Sequence, residues 1–369
     1  MKISNYPNDQ SILALIMILS GFGIVMMYSA STMVAMNLFN DYLHFFFQQI
    51  KWLALGYIMM FLLSNFNFHL LKKIAYILIL LSWIFLIMGY FFKNPNNDAA
   101  RWLHIGGRSW MTTSDFARIS LIIFTALFIE KNKNKLQNIK LLITKYTPFI
   151  IITILLILFQ PDTSTAMMIS AIVMIMLYVA GVNWKYLAGI ISIGMVGLFI
   201  KIITTPHALN RITNWNDAQK IQSSNALGTG GILGSGLGDS IIKNGFLPEA
   251  HTDFILPIIG EELGFVGILI LFILFSLFFI KGISIAKQAP DLFSIFLSLG
   301  IIISIVLYFL VNAAYVVGFA PTTGLPIPFL SYGGSHTIFT LISIGILLNI
   351  AKKGNIGKNK YYRGYSYEC

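Results

Sequence analysis

Two carboxylates in the segment LPEAHTDFI, residues 247–255, offer the clearest chemistry in the chain. Pro248 suits the first turn of a helix. On such a helix Glu249 and Asp253, four apart, share one face just before a long apolar run. Mutual repulsion and neighbouring lipid both raise a carboxyl pKa and suit the group to general-base work. Acidic residues at a helix N-terminus also simply stabilise it, and the residues alone leave both readings open. His251 stands near Asp253, either to tune it or as an interfacial ring. Glu261 and Glu262 follow one to two turns further in, where adjacent glutamates are costly and must face protein or water. A structural ion pair with a basic residue is the plainer role for one of them.

Other pairs carry charge in patterned ways. Asp115 and Arg118 are spaced three apart at the start of an apolar run; they either neutralise each other as a helical pair or turn Arg118 toward an anionic substrate. Arg101 offers a bidentate fork for phosphate, and Trp102 beside it is equally an interfacial anchor. Gln160-Pro161-Asp162 closes another apolar run, where proline ends a helix. The stretch GTGGILGSGLG, 228–238, resembles a phosphate loop only superficially: it follows no strand and lacks GKS or GKT. Close backbone packing is the better use of its glycines. The histidines show no metal-ligand spacing. The single cysteine, Cys369, excludes an intrachain disulfide and a thiolate zinc site.

The elements that position these groups are membrane helices. Of 369 residues, 57% are hydrophobic and 11% charged, and mean hydropathy is +0.78. Soluble domains carry roughly 25% charged residues, so a water-soluble enzyme and a disordered chain are excluded. Long continuous apolar runs, not alternating segments, exclude a β-barrel. At about 20 residues per span the pattern predicts an all-α polytopic membrane protein with about ten helices, at 11–31, 46–66, 71–92, 114–130, 146–160, 164–182, 185–204, 255–280, 292–317 and 333–351. The first run lacks an A-x-A-like cleavage site and is long enough to span, so no signal peptide is expected. No internal repeat of a transporter kind is evident.

With the N-terminus inside, 16 of the 25 Lys and Arg, concentrated in 131–145 and the tail 352–369, fall on inner segments. The positive-inside rule therefore places both termini in the cytoplasm. The net charge of +11 is explained by those inner loops, not by nucleic-acid binding. Ten of the 14 acidic residues fall on the outer half, either as ordinary solvated loops or as groups that do chemistry there. Three outer segments stand out: 93–113, 205–254 and 318–335. The second, between helices 7 and 8, keeps apolar residues at intervals and is expected to be ordered, re-entrant or surface-lying. The chain is expected to form one integral membrane domain over 1–369.

Together these segments resemble the SEDS family of bacterial cell-envelope proteins, the FtsW, RodA and SpoVE group. NDAARWL (97–103) is similar to NGARRWI, and QPDTSTA (160–166) to QPDLGTA. RITNWNDAQKIQSSNALGTGGILGSGLG (211–238) is similar to the family loop with Q-x-x-Q-S and AIGSGGxxGxGLG. LPEAHTDF with IGEELGFVG (247–267) matches almost throughout, and PTTGLPIPFLSYGGS (321–335) matches the last outer loop. The resemblance covers nearly the whole chain, and its wording is closer to the FtsW branch than to RodA. Three features depart from the pattern: TTSDFAR (112–118) stands for Q-P-S-E-x-x-K, Thr163-Ser164 replaces Leu-Gly, and the loop from Arg211 to Gln219 is shorter.

The resemblance implies a peptidoglycan glycosyltransferase that polymerises lipid II on the outer face of the cytoplasmic (inner) membrane, at the division septum. It maps the catalytic aspartate onto Asp253, the base for the acceptor hydroxyl. Substrate contacts are expected from Arg101, Trp102, Asp115, Arg118, Asp162, Arg211, Gln219, Gln222, Ser223, Glu249, His251, Thr252, Asn312 and Ser331. The pyrophosphate leaving group needs cationic stabilisation, from Arg101, Arg118 or Arg211, with a divalent cation (Mg or Mn) on outer carboxylates as an addition or substitute; no metal ligand set is assigned. Expected partners are lipid II, a class B penicillin-binding protein acting as transpeptidase, other divisome membrane proteins and membrane lipid. A lipid II flippase, a RodA-like elongation polymerase and a division scaffold are the alternatives.

Overall fold

A computed structural model describes residues 7–92, 102–105, 108–190, 192, 194, 197, 218–243, 247 and 249–365. The helices are α1 (Pro7–Phe39), α2 (His44–Ser64), α3 (His69–Phe91), α4 (Thr113–Lys131), α5 (Ile139–Phe159), α6 (Thr163–Val179), α7 (Ala218–Gly230), α8 (Ile255–Gln288), α9 (Leu292–Val316) and α10 (Gly334–Tyr365). Residues 184–190 are also helical. Among the described residues seven helices are long and apolar enough to cross a membrane: α1, α2, α3, α5, α8, α9 and the 334–354 part of α10. The expected all-α bundle is therefore present, with one addition. Between α3 and α4 lies a two-stranded antiparallel hairpin, β1 (Trp102–Ile105) and β2 (Arg108–Thr112), with a register shift between Leu103 and His104.

α4 is not among those seven, and protein rather than lipid surrounds it. Ala117 through Ile129 are buried without a break, Ser120 and Thr125 included. It packs against α3, α6, α9 and α10, so its polar residues need not meet lipid. The apolar windows of α10 and α9 are 83% and 61% buried, whereas those of α2 and α3 are 22% and 28%. α9 and α10 are thus central, and the outer helices turn residues such as Ile58, Leu62, Ile77 and Ile84 outward, as a lipid-facing surface requires.

Short connections make neighbouring helices antiparallel and sort the loops to two ends. At one end lie 40–43, the hairpin, 160–162, 218–243, 249–254 and 317–333, which hold most of the described motifs singled out above. At the other, Lys72 of α3 bridges Glu130 of α4 at 2.7 Å and Asp291 at 2.9 Å. Asp291 caps α9, its carboxylate accepting from Ser294 N at 2.8 Å. Burial alone would raise the Asp291 pKa, but the Ser294 and Lys72 hydrogen bonds hold it below the usual carboxylate value.

The long segment before α8 is ordered where described. α7 gives way to the glycine-rich turn, which lies against α8. α8 itself is broken at Gly264 (φ 65°, ψ −164°), a backbone region open essentially to glycine alone.

Candidate functional site

The Asp253 turn corrects one expectation. Residues 249–254 form turns, and the helix opens only at Ile255. Glu249 has φ 59°, left-handed backbone that no helix continues through, so Glu249 and Asp253 do not share a helical face. Glu249 instead organises the turn. Its carbonyl accepts from Thr252 N at 3.1 Å and Phe254 N at 3.3 Å, and its carboxylate accepts from the Thr252 hydroxyl at 2.8 Å.

Asp253 is half-buried, and its backbone is clamped by α9. Its carbonyl accepts from Asn312 Nδ2 at 2.9 Å and from Tyr315 Oη at 2.6 Å. Asn312 Nδ2 also reaches Leu325 O at 2.8 Å, joining α9, the Asp253 turn and the 318–333 loop. That loop closes on the carboxylate: a Cβ added at Gly324 would stand 3.1 Å from Asp253 Oδ2. Ser331 pins the same loop, its hydroxyl accepting from Ile327 N at 2.8 Å. His251 is buried, its ring 4.5 Å from Phe45 and 5.6 Å from Tyr332, while its carbonyl accepts from Tyr332 N at 2.9 Å. Burial lowers its pKa from 6.5, against the opposing pull of Glu249, so the ring is neutral at pH 7. Its position is that of a packed interfacial ring.

A second buried cluster lies one turn along α9. Asp115 Oδ1 is 3.2 Å from Arg118 Nη2 and 3.1 Å from His336 Nδ1. The Arg118 guanidinium lies 4.7 Å over the Tyr308 ring. Ser114 donates to Asp162 Oδ2 at 3.3 Å, and Asp162 caps α6 by accepting from Thr165 N at 3.3 Å. Asp115 and Arg118 thus form a helical pair, one of the two arrangements open from the sequence, with Arg118 only 3% exposed. His336 was not singled out from the sequence; its place directly after SYGGS, at the start of a span, is the signal that marks it.

The two glutamates bind the glycine-rich segment. The Glu261 carboxylate accepts from the Ser240 hydroxyl and from Ile241 N at 3.1 Å. Glu262 Oε1 lies 2.8 Å from Lys243 Nζ and 2.6 Å from Ser29 Oγ. Lys243, also missed, was legible as a lysine stranded on the acidic side of the chain.

Among the remaining candidates, Trp102 pairs with Thr112 across the hairpin, and Thr112 N donates to Ser335 Oγ at 2.9 Å. In α7, Ser223 donates to Gln219 O at 2.7 Å, and Gln222 Oε1 is buried without a protein partner among the described residues. Arg101, Arg211 and Pro248 lie outside the described residues. Among those described, no three His, Cys, Asp or Glu side chains gather as a metal-ion site.

Comparison with known proteins bears on the family and the fold. A family model described as "Cell cycle protein", covering FtsW, RodA and SpoVE, matches residues 9–356. The chain is 36% identical over 356 residues to a probable peptidoglycan glycosyltransferase FtsW of Geobacter sp. (strain M18), covering 94% of this chain and 97% of that one. It is 32% identical to stage V sporulation protein E of Bacillus subtilis (strain 168), covering 93% and 97%. Among solved structures, a chain of a peptidoglycan synthase complex superposes with TM-score 0.77 at 22% identity, covering 94% of this chain and 98% of that chain. Rod shape determining protein RodA of Thermus thermophilus superposes with TM-score 0.68 at 23% identity, covering 93% and 96%. The chain belongs to the FtsW/RodA/SpoVE family.

Proposed function

We propose that the chain is a peptidoglycan glycosyltransferase that polymerises lipid II on the outer face of the cytoplasmic membrane during septal wall synthesis. The observation that carries the mechanism is the clamped Asp253 turn. Asn312 and Tyr315 fix the backbone at the carbonyl, and the half-buried carboxylate stands beside Gly324 of the 318–333 loop. A carboxylate so placed takes the proton from the acceptor sugar's 4-hydroxyl as that oxygen attacks the donor's anomeric carbon. The bond to the undecaprenyl pyrophosphate breaks on the opposite face, so an α donor becomes a β linkage. Pyrophosphate is a weak base and leaves without a general acid. Its charge needs cations, a role we assign to Arg101 and Arg211; Arg118 is committed to Asp115. The FtsW-named relatives and the FtsW-like wording of 247–254 and 321–329 support the septal role. By the same family reasoning we assign a class B penicillin-binding protein as partner.

The test is lipid II polymerisation by the purified protein, alone and with that partner. Asp253→Asn, which preserves shape, is expected to lower strand formation by at least about a hundredfold with an unchanged melting temperature. Wild-type turnover by folded Asp253→Asn protein removes Asp253 from the mechanism. Absence of strands from the wild-type protein under both conditions removes the polymerase reading.

A further inference from the structure

We infer that Lys243 and Glu262, with Ser29, are positioning residues that aim the Asp253 carboxylate; this rests on the glycosyltransferase reading above. The reason lies in the break at Gly264. In an unbroken helix, Phe265 N and Val266 N would bond to the carbonyls of Glu261 and Glu262. Here they donate to Gly231 O at 2.9 Å and Ile232 O at 3.2 Å. The vacated carbonyls of Glu261 and Glu262 accept from Ser235 N at 2.9 Å and Gly236 N at 3.0 Å. Two helical bonds are exchanged for four bonds to the glycine-rich segment. Residues 255–263 are therefore a short helical piece whose direction the part of α8 after Gly264 does not impose, and a piece of that length is not stable by itself.

Side chains complete the attachment. The Glu261 carboxylate holds the 240–242 turn. Lys243 Nζ lies 2.8 Å from Glu262 Oε1, 2.9 Å from Ser29 Oγ and 2.6 Å from Gly238 O. Ser29 anchors the group to α1. The side chains of Lys243 and Glu262 are 8% and 0% exposed, so losing one partner leaves the other charge buried. The piece is thus held by the latch at one end and by Asn312 and Tyr315 at the Asp253 end. At about 1.5 Å per residue, a tilt of about 5° at Glu262 moves the Asp253 end by about 1 Å. A displacement of about 1 Å costs on the order of a hundredfold in rate.

The deciding experiment reads geometry without activity. In a Cys369→Ser, Asp253→Cys background, the rate of thiol modification by a small charged methanethiosulfonate is measured with and without Glu262→Gln or Lys243→Met. Each substitution removes one partner of the buried pair and is expected to change that rate by about threefold or more. With Asp253 intact, Glu262→Gln is expected to lower kcat for lipid II by about tenfold or more at an unchanged KM. An unchanged thiol rate in folded, monodisperse Glu262→Gln protein overturns the proposal. If Glu262→Gln does not fold, Ser29→Ala, which removes one hydroxyl, takes its place under the same criterion. A changed thiol rate in a protein whose parent makes no glycan upholds the latch and removes the glycosyltransferase reading instead.

Discussion

Asn312 sets the Asp253 backbone through a single amide group shared among the Asp253 carbonyl, the Leu325 carbonyl and the Tyr315 hydroxyl, the last at 2.6 Å. Removing it leaves the Leu325 and Asp253 carbonyls each short of a donor, whereas removing the Tyr315 hydroxyl, which donates to the Asp253 carbonyl and accepts from Asn312, leaves both carbonyls their Asn312 donor and keeps the ring edge-on to Phe254 at 5.6 Å. Asn312→Ala is therefore expected to cost about 1–3 kcal/mol and Tyr315→Phe about 1 kcal/mol. Lipid II turnover should fall in the same order, read by thermal unfolding and strand formation; equal effects would show that Asn312 acts through Tyr315 alone. The sequence picks out Asn312, Ser331 and His251 as positions that matter, through the family wording. What they touch was not legible, because a side chain that holds backbone and one that holds substrate leave the same letter in the chain. The partners seen here are carbonyls, a backbone N–H and aromatic rings.

Most helices could be read as elements because apolar length is a strong signal. The span expected at 46–66 is α2 at His44–Ser64, and that at 292–317 is α9 at Leu292–Val316. The two misreadings came from local geometry that periodicity does not register. Pro248 and an i, i+4 pair of acids suggested a helix, yet Glu249 lies in left-handed backbone. Gly264 follows Glu261-Glu262 within a run read as one span, and a lone glycine there does not by itself announce a break. The close packing expected of GTGGILGSGLG is present, but against that unannounced break: a Cβ at Gly234 would collide with the Glu262 carbonyl, and one at Gly264 with Gly234 N and Ile232 O. Gly264→Ala is thus expected to combine about 1–3 kcal/mol of backbone strain with displacement of the glycine-rich segment. Gly181 offers a matched control, with φ 88° and no atom within 4 Å of an added Cβ. Gly181→Ala should lower the melting temperature by strain alone, and less than Gly264→Ala; equal losses would show that the backbone exchange around Gly264 carries no packing energy.

For the molecule as a whole, the alternation of helices turns a charge pattern into a prediction of sidedness. The acidic motif loops and the Asp253 turn gather at one end, while Lys72, Lys131, Lys133, Lys135 and Lys352 belong to the other. Lysine and arginine near span ends remain on the cytoplasmic side, so the Asp253 end is expected to face outward, where lipid-linked glycan is presented. Burial strengthens the argument: the buried ion pairs at the Asp253 end are closed on themselves, Asp115 with Arg118 and His336, Glu262 with Lys243. They therefore contribute little to the field that orients the chain, and the exposed basic residues of 131–135 decide it. Cys369, the single native cysteine, serves as an inside reporter, and Asp239→Cys, at an exposed position of the glycine-rich segment, as an outside one. In intact cells, with any outer membrane permeabilised, an impermeant maleimide is expected to label the Asp239→Cys, Cys369→Ser protein and to spare the native protein until the cytoplasmic membrane is opened. The reverse pattern would place Asp253 on the cytoplasmic face, where polymerised glycan could not reach the wall, and would defeat the polymerase mechanism together with the orientation.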